Sequence, residues 1–107
     1  MIFDRHQFTH RLFHSILHNH DLFDIEILLR KSSSLHHINL NRLQYNGQSL
    51  VHLCCLYNRL DLLKLFVEHG ECDILKMNAD GWLPIHIAVH LGHMNIVFYL
   101  LKFNSSR

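Results

Sequence analysis

The chain has 107 residues, which is enough for one domain and leaves little for a second. Hydrophobic residues make up 49% of the chain and charged residues 18%, a balance typical of a globular protein and not of a disordered one. The formal net charge is only +1 and the basic residues are scattered, so no nucleic-acid-binding surface is indicated.

The cysteine usage and the lengths of the apolar runs bear on the cellular compartment. The three cysteines are an odd number without a Cys-x-x-Cys pair, which is typical of a reducing compartment. Residues 1–6 lack the apolar run of a signal peptide. The longest apolar run, 96–101, is far shorter than the ~20 residues that span a bilayer. We therefore expect a cytoplasmic or nuclear protein without a membrane segment.

The first predicted element is a pair of short helices before residue 31. Apolar residues recur at helical spacing along its two segments. They are Phe13, Ile16 and Leu17 in the first segment and Ile25, Leu28 and Leu29 in the second. A loop from Lys31 to Asn46 follows, where extra residues are expected to be tolerated.

A second helix pair is predicted before Gly70. Its apolar residues again form two stripes at helical spacing. They are Leu53, Cys54 and Leu56, then Leu62, Leu63, Phe66 and Val67. We expect Gly70 to end the second helix in the left-handed conformation.

A third helix pair follows, and its start and its turn are marked by two residues. Pro84 stands where a first helical residue is expected, since its missing N–H has no helical partner there. Gly92 is predicted to turn the chain between the helices. The apolar residues are Ile85, Ala88 and Val89 before the turn and Ile96, Val97, Leu100 and Leu101 after it.

The helix pairs are copies of one repeat. Residues 47–52 align with 81–86 at a spacing of 34, and the same spacing carries 62–63 onto 96–97. The first copy lies 38 residues before the second, so that His14 aligns with His52. Because so small a helix pair cannot bury its own apolar face, the pairs must stack on one another. The sequence therefore predicts an all-α solenoid of helix-turn-helix pairs.

The third copy resembles an ankyrin repeat. The stretch from Asn78 to Ala88, followed by Gly92-His93, is similar to the family signature Thr-Pro-Leu-His-x-Ala after a Gly, at a period of about 33 residues. The resemblance covers residues ~8–103 and is weakest in the first copy. It implies a single ankyrin-repeat domain over 1–107, with repeats at about 8–45, 46–78 and 79–107, the first being an irregular capping repeat.

The resemblance also implies structural roles for named residues. Imidazoles in the signature register are expected to be buried and hydrogen-bonded, and Pro84 completes the signature. These histidines are His14, His52 and His86.

Some positions depart from the family pattern. Leu83 and Arg11 replace the Thr that bonds the signature His, whereas Ser49 can still do so. Asn58 and His20 stand where Gly turns the helix pair, a position that such residues tolerate better than most.

Within the family, the chain resembles the short Notch-regulated ankyrin repeat proteins. Those proteins have about this length, begin with an irregular repeat after an Arg-x-Phe start, and carry Gly-Gln and then Asp-Gly-Trp before their signature histidines. The counterparts here are Arg11-Leu12-Phe13, Gly47-Gln48 and Asp80-Gly81-Trp82.

The family implies where a protein partner binds, namely the turns between repeats and the inner face of each first helix. The turn residues here are Tyr45, Asn46 and Gln48, then Met77, Ala79, Asp80 and Trp82. The helix residues are Leu56, Tyr57, His90 and Leu91. Trp82 has the area and rigidity of an interface hot spot. The alternative is that Trp82 folds back onto a neighbouring turn and only braces the solenoid.

The last predicted helix is more apolar than a terminal helix should be. Ankyrin stacks usually end in a repeat with a polar outer face. Here several residues are expected to lack a covering repeat, which indicates a contact site or an aggregation hazard. The candidates are Ile96, Phe98, Tyr99 and Phe103, with Phe98 and Tyr99 taken as the contact residues. We expect this face to stack against another helical surface, for example the end of a partner's own ankyrin array, unless the tail 104–107 shields it.

Metal binding and catalysis are the competing chemistries. His6, His10, His14 and His18 recur every four residues and would share a helical stripe, but no Cys, Asp or Glu completes a tetrahedral set, so no metal or other cofactor is expected. Cys54 and Cys55 stand where ankyrin repeats usually carry Ala-Ala and are expected to be small core residues. No Gly-rich phosphate loop, nucleophile elbow or His-Glu-x-x-His is present, so no enzyme activity is expected.

The sequence thus favours a protein-binding module acting as an intracellular adaptor or regulator, either monomeric or stacked end to end. The subfamily resemblance implies a role in Notch-type transcriptional signalling. Two alternatives remain: an ankyrin protein of the kind that inhibits NF-kappaB by masking a transcription factor, and a histidine-based binder that responds to metal or pH.

Overall fold

A computed structural model of the protein describes residues 5–18, Glu26 and 39–105. Five helices lie in these ranges: α1 (Arg5–His18), α2 (Leu50–Leu56), α3 (Leu60–Glu68), α4 (Pro84–Leu91) and α5 (Met94–Ser105). A short 3-10 helix, Leu40–Arg42, precedes the second pair. Apart from one β-bridge between Tyr45 and Gln48, the described ranges contain no sheet pairing. The prediction of an all-α stack of helix pairs is confirmed.

Local sequence signals set the boundaries of the second and third pairs. The Ser49 side chain caps α2 by accepting a hydrogen bond from the His52 N–H. Asn58 then turns the chain into α3 with a φ of 56°. Pro84 opens α4, and Gly92 ends it with a φ of 74°. The predictions for these turn and cap positions are confirmed.

The end of α3 differs from the prediction. Gly70 does not adopt the left-handed conformation; the next residue, Glu71, does, with a φ of 57°. The Gly70 N–H still bonds the Leu65 carbonyl at the helix end, so the chain reverses one residue later. Gly70 is needed there for space, because an added Cβ would lie 2.7 Å from the carbonyl oxygen of Phe66.

The core runs through the helix pairs as one continuous cluster of apolar side chains. α2 packs against α1, α3 and α4, and α4 packs against α5. Cys54 and Cys55 are fully buried between helices that approach closely, as expected for small apolar residues. The largest fully buried side chains include Phe66, Leu12, Ile16, Leu50, Leu62, Leu63 and Ile96. Of the apolar positions assigned to the first copy, Ile25, Leu28 and Leu29 lie outside the described residues, as does His20.

The turns between repeats are joined by hydrogen bonds. The Ala79 N–H donates to the Gly47 carbonyl at 3.0 Å, and the Asn78 amide donates to Gln48 Oε1 at 3.0 Å. These bonds hold the two turns side by side along one edge of the stack. None of the described helices is long and apolar enough to cross a membrane.

Candidate partner-binding surfaces

His52 links the second repeat to the third. Its ring lies wholly inside the core, with Nδ1 2.6 Å from Ser49 Oγ and Nε2 2.9 Å from the carbonyl oxygen of Trp82. Because a carbonyl only accepts, Nε2 carries the proton and Nδ1 accepts from the Ser49 hydroxyl. Burial lowers the pKa of His52 below its ordinary value of 6.5, partly offset by the bond to the Trp82 carbonyl. The predicted role of His52 as a buried, hydrogen-bonded core group is confirmed.

The same expectation is wrong for His86, which is exposed. Its Nδ1 accepts a hydrogen bond from the Leu83 N–H at 3.1 Å, so the ring keeps the local geometry of the signature position. The difference is that His52 is enclosed by the third repeat, whereas His86 lies in the last repeat that the structure describes. His14, the remaining histidine of this register, is half-buried on α1.

The Trp82 side chain lies over the first helix of its own repeat. Its ring makes edge contacts with His90, at a centroid distance of 5.7 Å, and with His86, at 6.4 Å. It remains 41% exposed. The structure therefore brings the side chains of Trp82 and His90 together on one accessible surface. The Trp82 backbone has a separate role, because its carbonyl accepts the hydrogen bond from the buried His52 ring.

The other predicted contact residues are spread along the turns and the first helices. Tyr45 is exposed, and its ring centroid lies 5.7 Å from that of Phe13. Gln48 is half-buried, and its Oε1 accepts a hydrogen bond from the Asn78 amide. Asn46 holds a left-handed φ of 51° at the tip of its turn. The remaining members of the predicted set are exposed: Leu56, Tyr57, Met77, Ala79, Asp80 and Leu91.

The predicted contact residues of the last helix separate in the structure. Phe98 points outward and is 64% exposed. Tyr99 instead packs against the second repeat, where its hydroxyl donates to Glu68 Oε2 at 2.8 Å. Burial, together with Glu68, raises the pKa of Tyr99. The expectation of an uncovered position therefore fails for Ile96, which is fully buried, while Tyr99 and Phe103 are partly buried against the core.

An apolar stripe nevertheless runs along the outer side of α5. Met94, Phe98 and Leu101 follow one another at helical spacing and are all exposed. Val89 on α4 is exposed as well. We call these four residues the end face. Met94, Leu101 and Val89 were not among the predicted contact residues, because the apolar pattern alone places Leu101 and Val89 in core stripes.

The repeat spacing explains the end face. Val89 stands 34 positions after Cys55 and Leu101 stands 34 after Val67. Cys55 is 0% exposed and Val67 5%, whereas Val89 is 57% exposed and Leu101 50%. Val89 and Leu101 thus occupy positions that are buried in the second repeat, whereas the counterparts of Met94 and Phe98, Leu60 and Lys64, are half-buried and exposed there.

Two further contacts show how the third repeat covers the second. The His93 ring donates from Nδ1 to the Cys55 carbonyl at 2.9 Å. The Lys64 ammonium lies 5.7 Å from the centre of the Tyr99 ring. Lys64 is the counterpart of Phe98 by the same spacing. The second-repeat positions in these contacts, Cys55 and Lys64, correspond to Val89 and Phe98 of the end face.

Three members of the histidine stripe, His10, His14 and His18, lie close together on α1. The rings of His14 and His18 lie 4.2 Å apart and those of His10 and His14 5.8 Å apart. Within the described ranges, no group of three or more His, Cys, Asp or Glu side chains is arranged to hold a metal ion. The side chain of His6 lies outside the described residues.

The cysteines are placed for packing. Cys54, Cys55 and Cys72 are buried free thiols. Burial raises the pKa of Cys55 and of Cys72 to about 12, so that neither thiol ionises near neutral pH.

Comparison with known proteins agrees with this architecture. A family model described as ankyrin repeats (3 copies) matches residues 12–106. The Notch-regulated ankyrin repeat-containing protein of Xenopus laevis is 35% identical over 101 residues, which cover 92% of this chain and 87% of that protein. The human protein of the same name is 33% identical over 93 residues, covering 87% of this chain and 80% of that protein.

A more distant relative shares part of the repeat region. Protein phosphatase 1 regulatory subunit 27 of Mus musculus is 31% identical over 70 residues, which cover 65% of this chain and 45% of that protein. Ankyrin repeats are modules for protein–protein interaction. With three helical repeats matched and relatives of the same length class aligned across the chain, the protein belongs to the ankyrin-repeat family and is similar to the Notch-regulated ankyrin repeat-containing proteins.

Proposed function

We propose that this protein is a non-enzymatic adaptor that binds a helical-repeat protein through its end face and thereby modulates Notch-type transcriptional signalling. The observation that carries the proposal is the apolar end face. Two of its four residues, Val89 and Leu101, stand at positions that are buried in the second repeat.

The chemistry of this face favours a helical partner. A repeat that stacks on it would place apolar side chains against Val89 and Leu101, as the third repeat encloses Cys55 and Val67. His86 adds a polar contact. Because its Nδ1 accepts from the Leu83 N–H, the neutral ring carries its proton on Nε2 and can donate to a backbone carbonyl, as His52 does to Trp82.

The inner surface offers a second set of contacts. Trp82 and His90 form an accessible aromatic pair beside the turns, and Tyr57 and Met77 are exposed on the turns and first helices. A partner whose chain continues past the end of the stack would reach these side chains. Aromatic residues at such positions contribute strongly to binding when a partner encloses them.

The signalling role rests on the relatives, which are named as Notch-regulated ankyrin repeat-containing proteins. A transcriptional regulator of this kind would work in the cytoplasm, in the nucleus or in both. The raised pKa of the buried thiols and their enclosure in the core support a role without nucleophilic catalysis.

A pair of matched variants tests the proposal. Leu101 lies on the end face and is 50% exposed, whereas Leu75 lies in the loop after α3 and is 51% exposed. We expect the wild-type chain to change the output of a Notch-responsive transcription reporter in cells, Leu75→Lys to act like the wild type, and Leu101→Lys to lose the effect. Circular dichroism and expression level serve as controls for folding. A Leu101→Lys variant as active as the wild type would contradict the proposal.

A further inference from the structure

A groove lies between α1 and the turn that precedes α2. His10, His14 and His18 line it from α1, and Gln44 and Tyr45 line it from the turn. Its volume of about 400 Å³ gives room for a metal ion with bound water molecules. None of the described residues that line this groove is Asp, Glu, Lys or Arg. Its polar chemistry therefore comes mainly from imidazole rings.

The part of α1 that carries these histidines is held in place by its buried face. Leu12, Phe13 and Ile16 are buried in the core. The Phe13 ring also contacts Tyr45 across the groove, at a centroid distance of 5.7 Å. The histidines are thus presented from a helix whose position is fixed by packing.

Two of the imidazoles lie at the separation that a shared metal ion requires. His14 and His18 are four residues apart and point to the same side of α1. Their ring centroids are 4.2 Å apart and their planes are inclined by 32°. Two imidazoles that bind one Zn²⁺ through Zn–N bonds of about 2.1 Å have ring centres about 5 Å apart. A small change in side-chain torsion closes this difference. The rings of His10 and His14 lie further apart, at 5.8 Å.

Helix α4 contains a second pair of histidines at the same spacing, in a different environment. His86 and His90 are both exposed. The Trp82 ring packs against both of them, at centroid distances of 6.4 and 5.7 Å. Nδ1 of His86 also accepts a hydrogen bond from the Leu83 N–H. Because these rings already contact an indole, the α4 pair is a matched control for the pair on α1.

We propose that His14 and His18 together bind Zn²⁺, each through one ring nitrogen, with water molecules in the remaining coordination positions. Ligation uses one nitrogen of each ring, so the other nitrogen can keep a hydrogen bond. Neutral imidazole suits Zn²⁺, whereas Mg²⁺ and Ca²⁺ need oxygen ligands, above all carboxylates, and no carboxylate lines the groove.

The number of protein ligands determines the character of the site. Within the described ranges, no group of three or more His, Cys, Asp or Glu side chains is arranged around an ion. The site is therefore a two-ligand chelate, which binds more weakly than a four-ligand structural zinc centre and exchanges its ion. Since both ligands belong to the end of α1, an ion bound there stabilises the folded first repeat.

Titration of the metal-free full chain with Zn²⁺ by calorimetry near neutral pH tests the proposal. We expect His14→Gln combined with His18→Gln to weaken the zinc affinity by about tenfold or more. The control, His86→Gln combined with His90→Gln, removes as many histidines at the same spacing and should keep the wild-type affinity. Mg²⁺ should not bind. Equal weakening in the two double variants, or a wild-type chain that does not bind Zn²⁺ at millimolar concentration, overturns the proposal.

Single variants keep the test decisive if the α1 double variant does not fold. His18 is exposed, so His18→Gln should leave the circular dichroism spectrum in the presence of a chelator unchanged and still lose the zinc affinity. His10→Gln should have a smaller effect, because the His10 ring is further from His14. Zn²⁺ should also raise the melting temperature of the wild type and of the α4 control but not that of His18→Gln. A His10→Gln variant that loses as much affinity as His18→Gln overturns the assignment to this pair.

Discussion

The ring of His52 donates from Nε2 to the backbone carbonyl of Trp82 at 2.9 Å and so joins two successive repeats inside the core. The bond uses the main chain of Trp82, which leaves its indole ring free to lie against His90. One residue therefore holds the stack together through its backbone and presents a surface through its side chain.

The first prediction separates the two signature histidines. Replacing His52 with Ala should lower the free energy of unfolding by about 2 kcal/mol, since it leaves the Trp82 carbonyl and the Ser49 hydroxyl without their buried partner. Replacing His86 with Ala should cost less than about 0.5 kcal/mol, because His86 is exposed. Urea denaturation of both variants gives the comparison. Equal losses of unfolding free energy in the two variants would show that burial of the His52 ring does not determine its contribution to stability.

The second prediction concerns pH. The pKa of His52 is lowered in the folded state, so the unfolded state binds a proton more readily. The stability due to neutral His52 is therefore fully present above the unfolded pKa, about 6.5, and is lost as the pH falls through and below that value. Denaturation midpoints between neutral and mildly acidic pH should fall for the wild type. A His52→Gln variant should show a smaller fall, and an identical pH profile for the two proteins would contradict the assignment.

The third prediction uses the left-handed residues. Glu71 adopts a φ of 57°, which costs an ordinary side chain roughly 1 kcal/mol. Glu71→Gly should therefore raise the free energy of unfolding by up to about 1 kcal/mol, while keeping the carbonyl that accepts from the Asn41 amide. Asn58 has nearly the same φ, but Asn tolerates it better, so Asn58→Gly should change stability less. Thermal melts would measure both, and a destabilised Glu71→Gly variant would count against the explanation.

The fourth prediction concerns Trp82. Because the fold uses its carbonyl and its ring is 41% exposed, Trp82→Ala should lower stability only modestly, by about 1 kcal/mol or less. Its effect on binding should be larger, with the affinity for the partner weakened by more than about 1 kcal/mol. The stability is read from denaturation and the binding from titration of a purified partner. A large loss of stability that accounts for the loss of binding would assign the ring to bracing alone.

Much of the local structure could be predicted from sequence because its causes lie within a few residues. Ser49, Asn58, Pro84 and Gly92 each act through their own backbone or their own cap, and all four behave as expected. The reversal after α3 was placed one residue early, at Gly70. A glycine can be required because the backbone is left-handed or because there is no room for a Cβ atom. Only the position of the Phe66 carbonyl oxygen shows that lack of room is the reason at Gly70.

The candidate surfaces were harder to predict because neighbouring residues differ in what covers them. Phe98 and Tyr99 are adjacent and both aromatic, yet one faces solvent and the other bonds Glu68 of the previous repeat. Helical spacing shows that they point in different directions, but not which direction another repeat occupies. The same holds for Val89, whose apolar character is that of a core residue.

By itself, the sequence determined the helical repeats, their spacing and their family, since periodicity and capping are recorded in short stretches of the chain. Tertiary structure alone decided burial. His52 and His86 share the same register, but only His52 is enclosed, because enclosure depends on what stacks on a repeat. In a solenoid each repeat contacts only its neighbours. Equivalent positions in different repeats are therefore buried or exposed according to whether a neighbouring repeat covers them.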